Sequence, residues 1–137
     1  MAKKRAFISF DFDHDKDLRG SLVEQTKHPD SPFRIKDGSV QEPITEKWKK
    51  KARELIRKAD LIIVICGEHT HDAAGVTAEV TIVHEENKPY FLLKGRRRKA
   101  CKKPRSARSS DKMYGWTWEN LRRLINGERY PDVPAVE

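Results

Sequence analysis

The sequence predicts an α/β domain built on a doubly wound parallel sheet, and three observations carry that prediction. Apolar runs of strand length recur at residues 5–10, 61–66 and 89–93. Stretches of helical periodicity separate them, which is the rhythm of parallel strands joined by helical crossovers. The run Leu-Ile-Ile-Val-Ile-Cys at 61–66 is apolar at every position, as a strand covered on both faces must be.

Each element has its own warrant. The first strand, 5–10 (Arg-Ala-Phe-Ile-Ser-Phe), ends in a turn rich in aspartate, with Asp11, Asp13, Asp15 and Asp17. A short helix follows near 16–26. A weaker strand at 33–36 stops at Asp37-Gly38, a dipeptide that favours a turn. The helix near 43–58 is the clearest: Ile44, Trp48, Ala52, Leu55, Ile56 and Ala59 fall on one face and the charged residues on the other. Ser39 and Glu42 have capping-box spacing, and Pro43 suits a first turn. After the third strand at 61–66, a helix near 74–86 leads into the fourth strand at 89–93. A basic loop spans 94–110. A last amphipathic helix near 117–126 carries Trp118, Leu121, Leu124 and Ile125 and ends before Gly127. The expected organisation is one domain over 1–128 and a frayed tail over 129–137.

With the first strand central, the sheet takes the flavodoxin-like order 2-1-3-4. Ligands of such sheets collect at the carboxyl ends of the strands. That edge gathers Phe10 and Asp11, then Asp37 and Ser39, then Gly67 through Thr70 into one crevice.

Composition narrows the classes. The chain has 137 residues, room for a single core, and only 36% of them are hydrophobic. Its mean hydropathy is −0.82. No run approaches the roughly 18 apolar residues of a membrane span, and Met1-Ala-Lys-Lys-Arg leads into a strand rather than a signal peptide. Two cysteines, Cys66 in a strand and Cys101 in the basic loop, do not suggest a disulfide framework, so the cytoplasm is the expected compartment. The net charge of +8 is local: Lys94 to Arg108 holds nine Lys or Arg and no acid, and without those nine the charge falls to −1. A solvated, mobile loop accounts for this. Nucleic acid is a weaker candidate partner, since no aromatic interleaves the run to stack on bases.

One residue breaks its pattern. At about 100° per residue, with Val76 set at zero, Val80 falls near 40°, Val83 near 340° and Ile82 near 240°. Glu79 falls near 300°, inside the apolar arc, whereas Glu85 falls near 180° on the solvent side. A carboxylate is costly to bury without a partner. Pairing with a neighbouring lysine is the plain reading, and a carboxylate aimed into the crevice is the functional one.

Ile8-Ser9-Phe10 ending the first strand, the turn Asp37-Gly38-Ser39, the phrase Lys58-Ala-Asp-Leu-Ile-Ile-Val-Ile65, Glu79 on the helix after the third strand and the closing Trp116-Thr-Trp118 together resemble the TIR domain. The match is closer to the bacterial and archaeal TIR-like proteins, including the TIR subunit of Thoeris anti-phage systems. Where many TIR domains carry Trp-x-x-x-Glu, this chain has Gly75-Val-Thr-Ala-Glu79, without the pocket tryptophan. The resemblance implies an enzyme that cleaves NAD at the nicotinamide–ribose bond or cyclises the product into a signal nucleotide read by a downstream effector. Its alternative is a non-catalytic module that associates with itself or with another TIR-like subunit. It further implies Glu79 as the catalytic, ribose-contacting residue, with Ser9 and Phe10 lining the base and ribose side and Asp11, Asp37 and Ser39 at the rim. NAD is then substrate, and no resident cofactor is implied. The pocket is implied to be completed across a subunit contact by the loop near 37–42.

Other constellations are weaker. Glu68-His69-Thr70-His71-Asp72 offers metal-ligand types but no distant third cluster, so a polar loop is the better reading. A phosphoacceptor receiver would need an aspartate where Cys66-Gly67 ends the third strand. Cys66 reads as a buried thiol. Asp13 and His14 either shape the crevice or belong to a solvated turn.

Overall fold

The computed structural model describes residues 3–38, 43–129 and 135–136. The elements run β1 (Lys4–Ser9), α1 (Lys16–Thr26), β2 (Phe33–Gly38), α2 (Glu46–Lys58), β3 (Leu61–Cys66), a 3-10 turn (Thr70–Asp72), α3 (Ala74–Glu85), β4 (Tyr90–Lys94), β5 (Met113–Gly115), α4 (Trp118–Ile125) and β6 (Ala135–Val136). The sheet order is β2-β1-β3-β4-β5-β6. The first five strands are parallel, and β6 pairs antiparallel to β5.

The expected order 2-1-3-4 is present and is extended at one edge. β5 was not foreseen: three residues of Met-Tyr-Gly have no readable period, and only pairing with Leu92–Lys94 makes them a strand. Within the tail expected to fray, Ala135 and Val136 pair with Tyr114 and Met113.

The two-residue period of the strands divides the core between the faces. Ala6, Ile8, Leu61, Ile63, Ile65, Phe91 and Leu93 pack with Leu18 and Leu22 of α1 and Leu121, Leu124 and Ile125 of α4. Phe7, Ile62, Val64, Leu92 and Met113 pack with Trp48, Ala52 and Ile56 of α2 and Val76, Val80 and Val83 of α3. Every residue of β3 is buried, which is why its sequence does not alternate. Truncating one of these side chains, as in Ile63→Ala, removes about 2–5 kcal/mol.

The helix ends show how local chemistry aims these elements. Thr45 caps α2, its hydroxyl accepting from the Trp48 N–H at 3.1 Å. The helix therefore begins at Glu46, later than the Ser39–Glu42 spacing suggests, and Ser39 and Glu42 lie outside the described residues. α2 and α3 are tied by Arg53 to Glu85 and Glu86, and by Arg57 to Glu86, all at 2.6 Å. The two guanidiniums, Arg57 first, hold the Glu86 carboxyl down to about 2.

The basic loop is docked rather than loose. Its acidic partners lie elsewhere in the chain, out of sight of a local charge count. Arg96 bonds Asp17 at 2.9 Å and the buried Asp15 at 3.1 Å, and Arg105 bonds Asp72 at 2.9 Å. Ser106 donates to the Thr77 carbonyl at 2.7 Å, the Lys102 N–H to the Gly67 carbonyl at 2.9 Å, and Cys101 and Ala107 pack on the α2/α3 side of the core. Arg97, Arg98 and Lys99 remain exposed.

Candidate functional site

The carboxyl ends of β1 and β3 and the start of α3 enclose a crevice of about 590 Å³. β1 contributes its exit, Phe10 through His14. The segment after β3 contributes His69 and Asp72. α3 contributes its first turns, Ala74, Gly75, Val76 and Glu79. Pro43, Ile44 and Trp48 close the side next to α2.

Glu79 lines this crevice and is only 1% exposed. The wheel position that set it in the apolar arc is thus realised, with the partner that burial demands. The Ser9 hydroxyl donates to Glu79 Oε1 at 2.7 Å. Ser9 is itself fully buried, in β1. Its alternation places it with Phe7 on the α3 side, so it meets the helix rather than the opening. Ser9 is not itself among the residues lining the crevice; it reaches the crevice through its hydrogen bond to Glu79.

Phe10 does line the crevice, with its ring stacked at 5.4 Å on that of Phe12. Phe12, half-buried, has the Lys16 ammonium 4.8 Å over its face. Asp11 is 6% exposed and is held by two contacts: Oδ1 accepts from the Asp13 N–H at 3.1 Å, and Oδ2 lies 2.7 Å from His14 Nδ1. The His14 ring stacks on His69 with centroids 4.0 Å apart. Asp37 falls in β2, in register with Phe7, but its side chain and the whole of Ser39 lie outside the described residues.

The far wall is fixed by the turn after β3. The Thr70 hydroxyl accepts from the Gly67 N–H at 2.7 Å, which starts the 3-10 turn and places His69 and Asp72 at the rim. Gly67 is required there by close approach, since a Cβ would collide with the Asp15 carboxylate. Asp15 is 1% exposed, and burial pushes its carboxyl above the usual range against the opposing pull of Arg96. α3 begins at Ala74, and its N-cap Ala73 gives no side-chain hydrogen bond, so the first amide groups of the helix, at the crevice, have no side-chain cap. Of the rim acids, Asp72 is paired with Arg105 and Asp11 with His14.

Trp48 is the crevice residue that sequence reasoning assigned only to helix packing. It is 4% exposed, and its indole Nε1 is buried without a hydrogen-bond partner among the described residues. A Cβ on Gly75, where many relatives carry a tryptophan, would meet nothing within 4 Å. Trp48 of α2 and Gly75 of α3 both line the crevice, so the crevice has a tryptophan in its lining that comes from α2. No local signal marks this, because α2 and α3 meet only in the tertiary structure.

Among the described residues, no group of three or more His, Cys, Asp or Glu side chains is arranged to hold a metal ion. Cys66 is fully buried and burial pushes its thiol up, while Cys101 is half-buried; both are free. No described helix is long and apolar enough to cross a membrane.

A parallel sheet in this order, with a buried glutamate on the helix after β3, is the architecture expected of a TIR-like domain. The chain belongs to the family of the Thoeris protein ThsB, TIR-like domain, whose model matches residues 7–99. Its fold is shared with the crystal structure of a prokaryotic SEFIR domain, at a TM-score of 0.56 and 19% identity, over 98% of this chain and 99% of that one. No curated protein matches this chain.

Proposed function

We propose that the crevice binds an NAD-type nucleotide and cleaves the bond between nicotinamide and ribose, with Glu79 as the catalytic carboxylate. The observation that carries this reading is a buried, serine-held glutamate lining a crevice at the strand ends. Breaking an N-glycosidic bond builds positive charge on the ribose ring. A carboxylate that is itself buried and held in place stabilises that charge far more than one free in solution. Nicotinamide leaves as a neutral molecule, so no second acid is required. Phe10 and Phe12 offer an aromatic wall for the base, and the uncapped start of α3 offers amides for phosphate. Membership of the Thoeris family supports a role in anti-phage defence. In that role the proposed product is ADP-ribose or a cyclic form of it, serving as a cytoplasmic signal for an effector.

The test is turnover of NAD by the concentrated protein, followed by chromatography for nicotinamide, ADP-ribose and cyclic forms. Glu79→Gln keeps the shape and removes the charge. It should lower the rate about a hundredfold or more, equivalent to roughly 3 kcal/mol of transition-state stabilisation. Glu85→Gln, on the exposed side of the same helix, should be nearly silent. Equal rates for wild type and Glu79→Gln would remove Glu79 from the mechanism.

A second reading, self-association without catalysis, is favoured by one observation. Ile44, which lines the crevice, is 39% exposed, and β2 is an edge strand of the sheet. No turnover by the wild type, together with a concentration-dependent dimer that Ile44→Ser abolishes, would select it.

A further inference from the structure

The turn after β1 holds a second chemical group in the crevice that Glu79 lines. His14 lines the cavity, and its ring is fixed at two points. Nδ1 lies 2.7 Å from Oδ2 of Asp11, which is 6% exposed, and the ring face stacks on His69 at 4.0 Å. Asp11 is held in turn by the Asp13 N–H at 3.1 Å, and its carbonyl accepts from the Asp15 N–H at 2.8 Å. A carboxylate accepts only, so the hydrogen of a neutral imidazole sits on Nδ1 and the lone pair on Nε2. Nε2 has no protein partner among the described residues, and the side chain is 49% exposed at the crevice. The arrangement is an oriented imidazole base with an open nitrogen, in the same cavity as a carboxylate suited to a cationic ribose.

We infer that His14 is the general base of the reaction and Asp11 its positioning residue, an assignment that rests on the crevice being a site of NAD cleavage. As the bond between the ribose anomeric carbon and the nicotinamide nitrogen breaks, its electron pair stays on nitrogen and neutralises the pyridinium. An oxygen nucleophile, either water or a hydroxyl of the same nucleotide, forms the new bond to that carbon. Its proton passes to Nε2 of His14 and then to solvent. Glu79 carries the charge of the ring and His14 carries the proton, so the two side chains have separable tasks.

The experiment compares the steady-state kinetics of wild type, His14→Ala, His14→Gln and Asp11→Asn with NAD, each with and without imidazole in the buffer. Removing a positioned base should lower kcat about a hundredfold, with KM little changed. Added imidazole should restore His14→Ala at least partly. It should leave Asp11→Asn, in which the histidine still occupies the space, unrescued. Thermal melts of both His14 variants check that the fold survives, and His14→Gln keeps a side chain of similar reach should alanine loosen the turn. Normal turnover by both His14 variants would overturn the inference and leave the NAD reading standing. A loss that imidazole fails to restore would overturn it too, placing His14 in the architecture of the turn. Absence of turnover in the wild type would remove the reaction itself, and this role with it.

Discussion

Replacing Ser9 by alanine tests the buried contact on which the site is built. The hydroxyl donates to Glu79 Oε1 at 2.7 Å, with both residues at most 1% exposed. Hydrogen bonds to a charged group contribute about 1.5–3 kcal/mol, and short O–H···O⁻ bonds are the stronger ones. Both groups are buried, so Ser9→Ala should lose stability in that range. For a domain of this size the loss corresponds to a fall of about 5–10 °C in Tm. The decisive assay is a double-mutant cycle by urea unfolding, with Ser9→Ala, Glu79→Gln and both together. A coupling of about 1–2 kcal/mol is expected, because the glutamine has lost the charge that makes the bond strong. Ser9→Ala should also slow NAD turnover while leaving Glu79 present, since an unheld carboxylate samples poorer geometry. Additivity within about 0.5 kcal/mol would refute the reasoning and make Ser9 a bystander of the glutamate.

Two further outcomes follow from the docked loop and the helix pair. Arg96→Ala should cost about 1–3 kcal/mol by thermal or urea unfolding, because it strips the buried Asp15 of its cation. That loss should shrink as pH falls, since a protonated Asp15 needs no partner; Arg97→Gln, Arg98→Gln and Lys99→Gln together should barely move Tm, and a large drop would show further docking contacts. For Glu86, whose folded carboxyl is held at about 2 against an ordinary 4.5, the sign is fixed: its stabilisation is present above about 4.5 and is lost as pH falls toward about 2. Acid unfolding followed by circular dichroism should therefore come at higher pH in Arg57→Ala than in wild type, and an unshifted midpoint would exclude the Arg57–Glu86 pair from acid stability.

What the sequence by itself determined are the features written in local periodicity. The wholly apolar β3, the one-sided α2 and the glutamate in the apolar arc of α3 are each legible because burial on a strand or helix repeats at the period of that element. From these came the order 2-1-3-4, the crevice at the strand ends and Glu79 inside it. Only the tertiary structure decided the rest, because those contacts join residues far apart in the chain. β5 exists by pairing with β4, the basic loop is pinned by Asp15, Asp17 and Asp72, and Trp48 reaches the crevice from another helix. The contact of Ser9 with Glu79 has the same cause. A strand's period tells which face a side chain takes, but the residue it meets there, 70 positions away, is set by how α3 crosses the sheet.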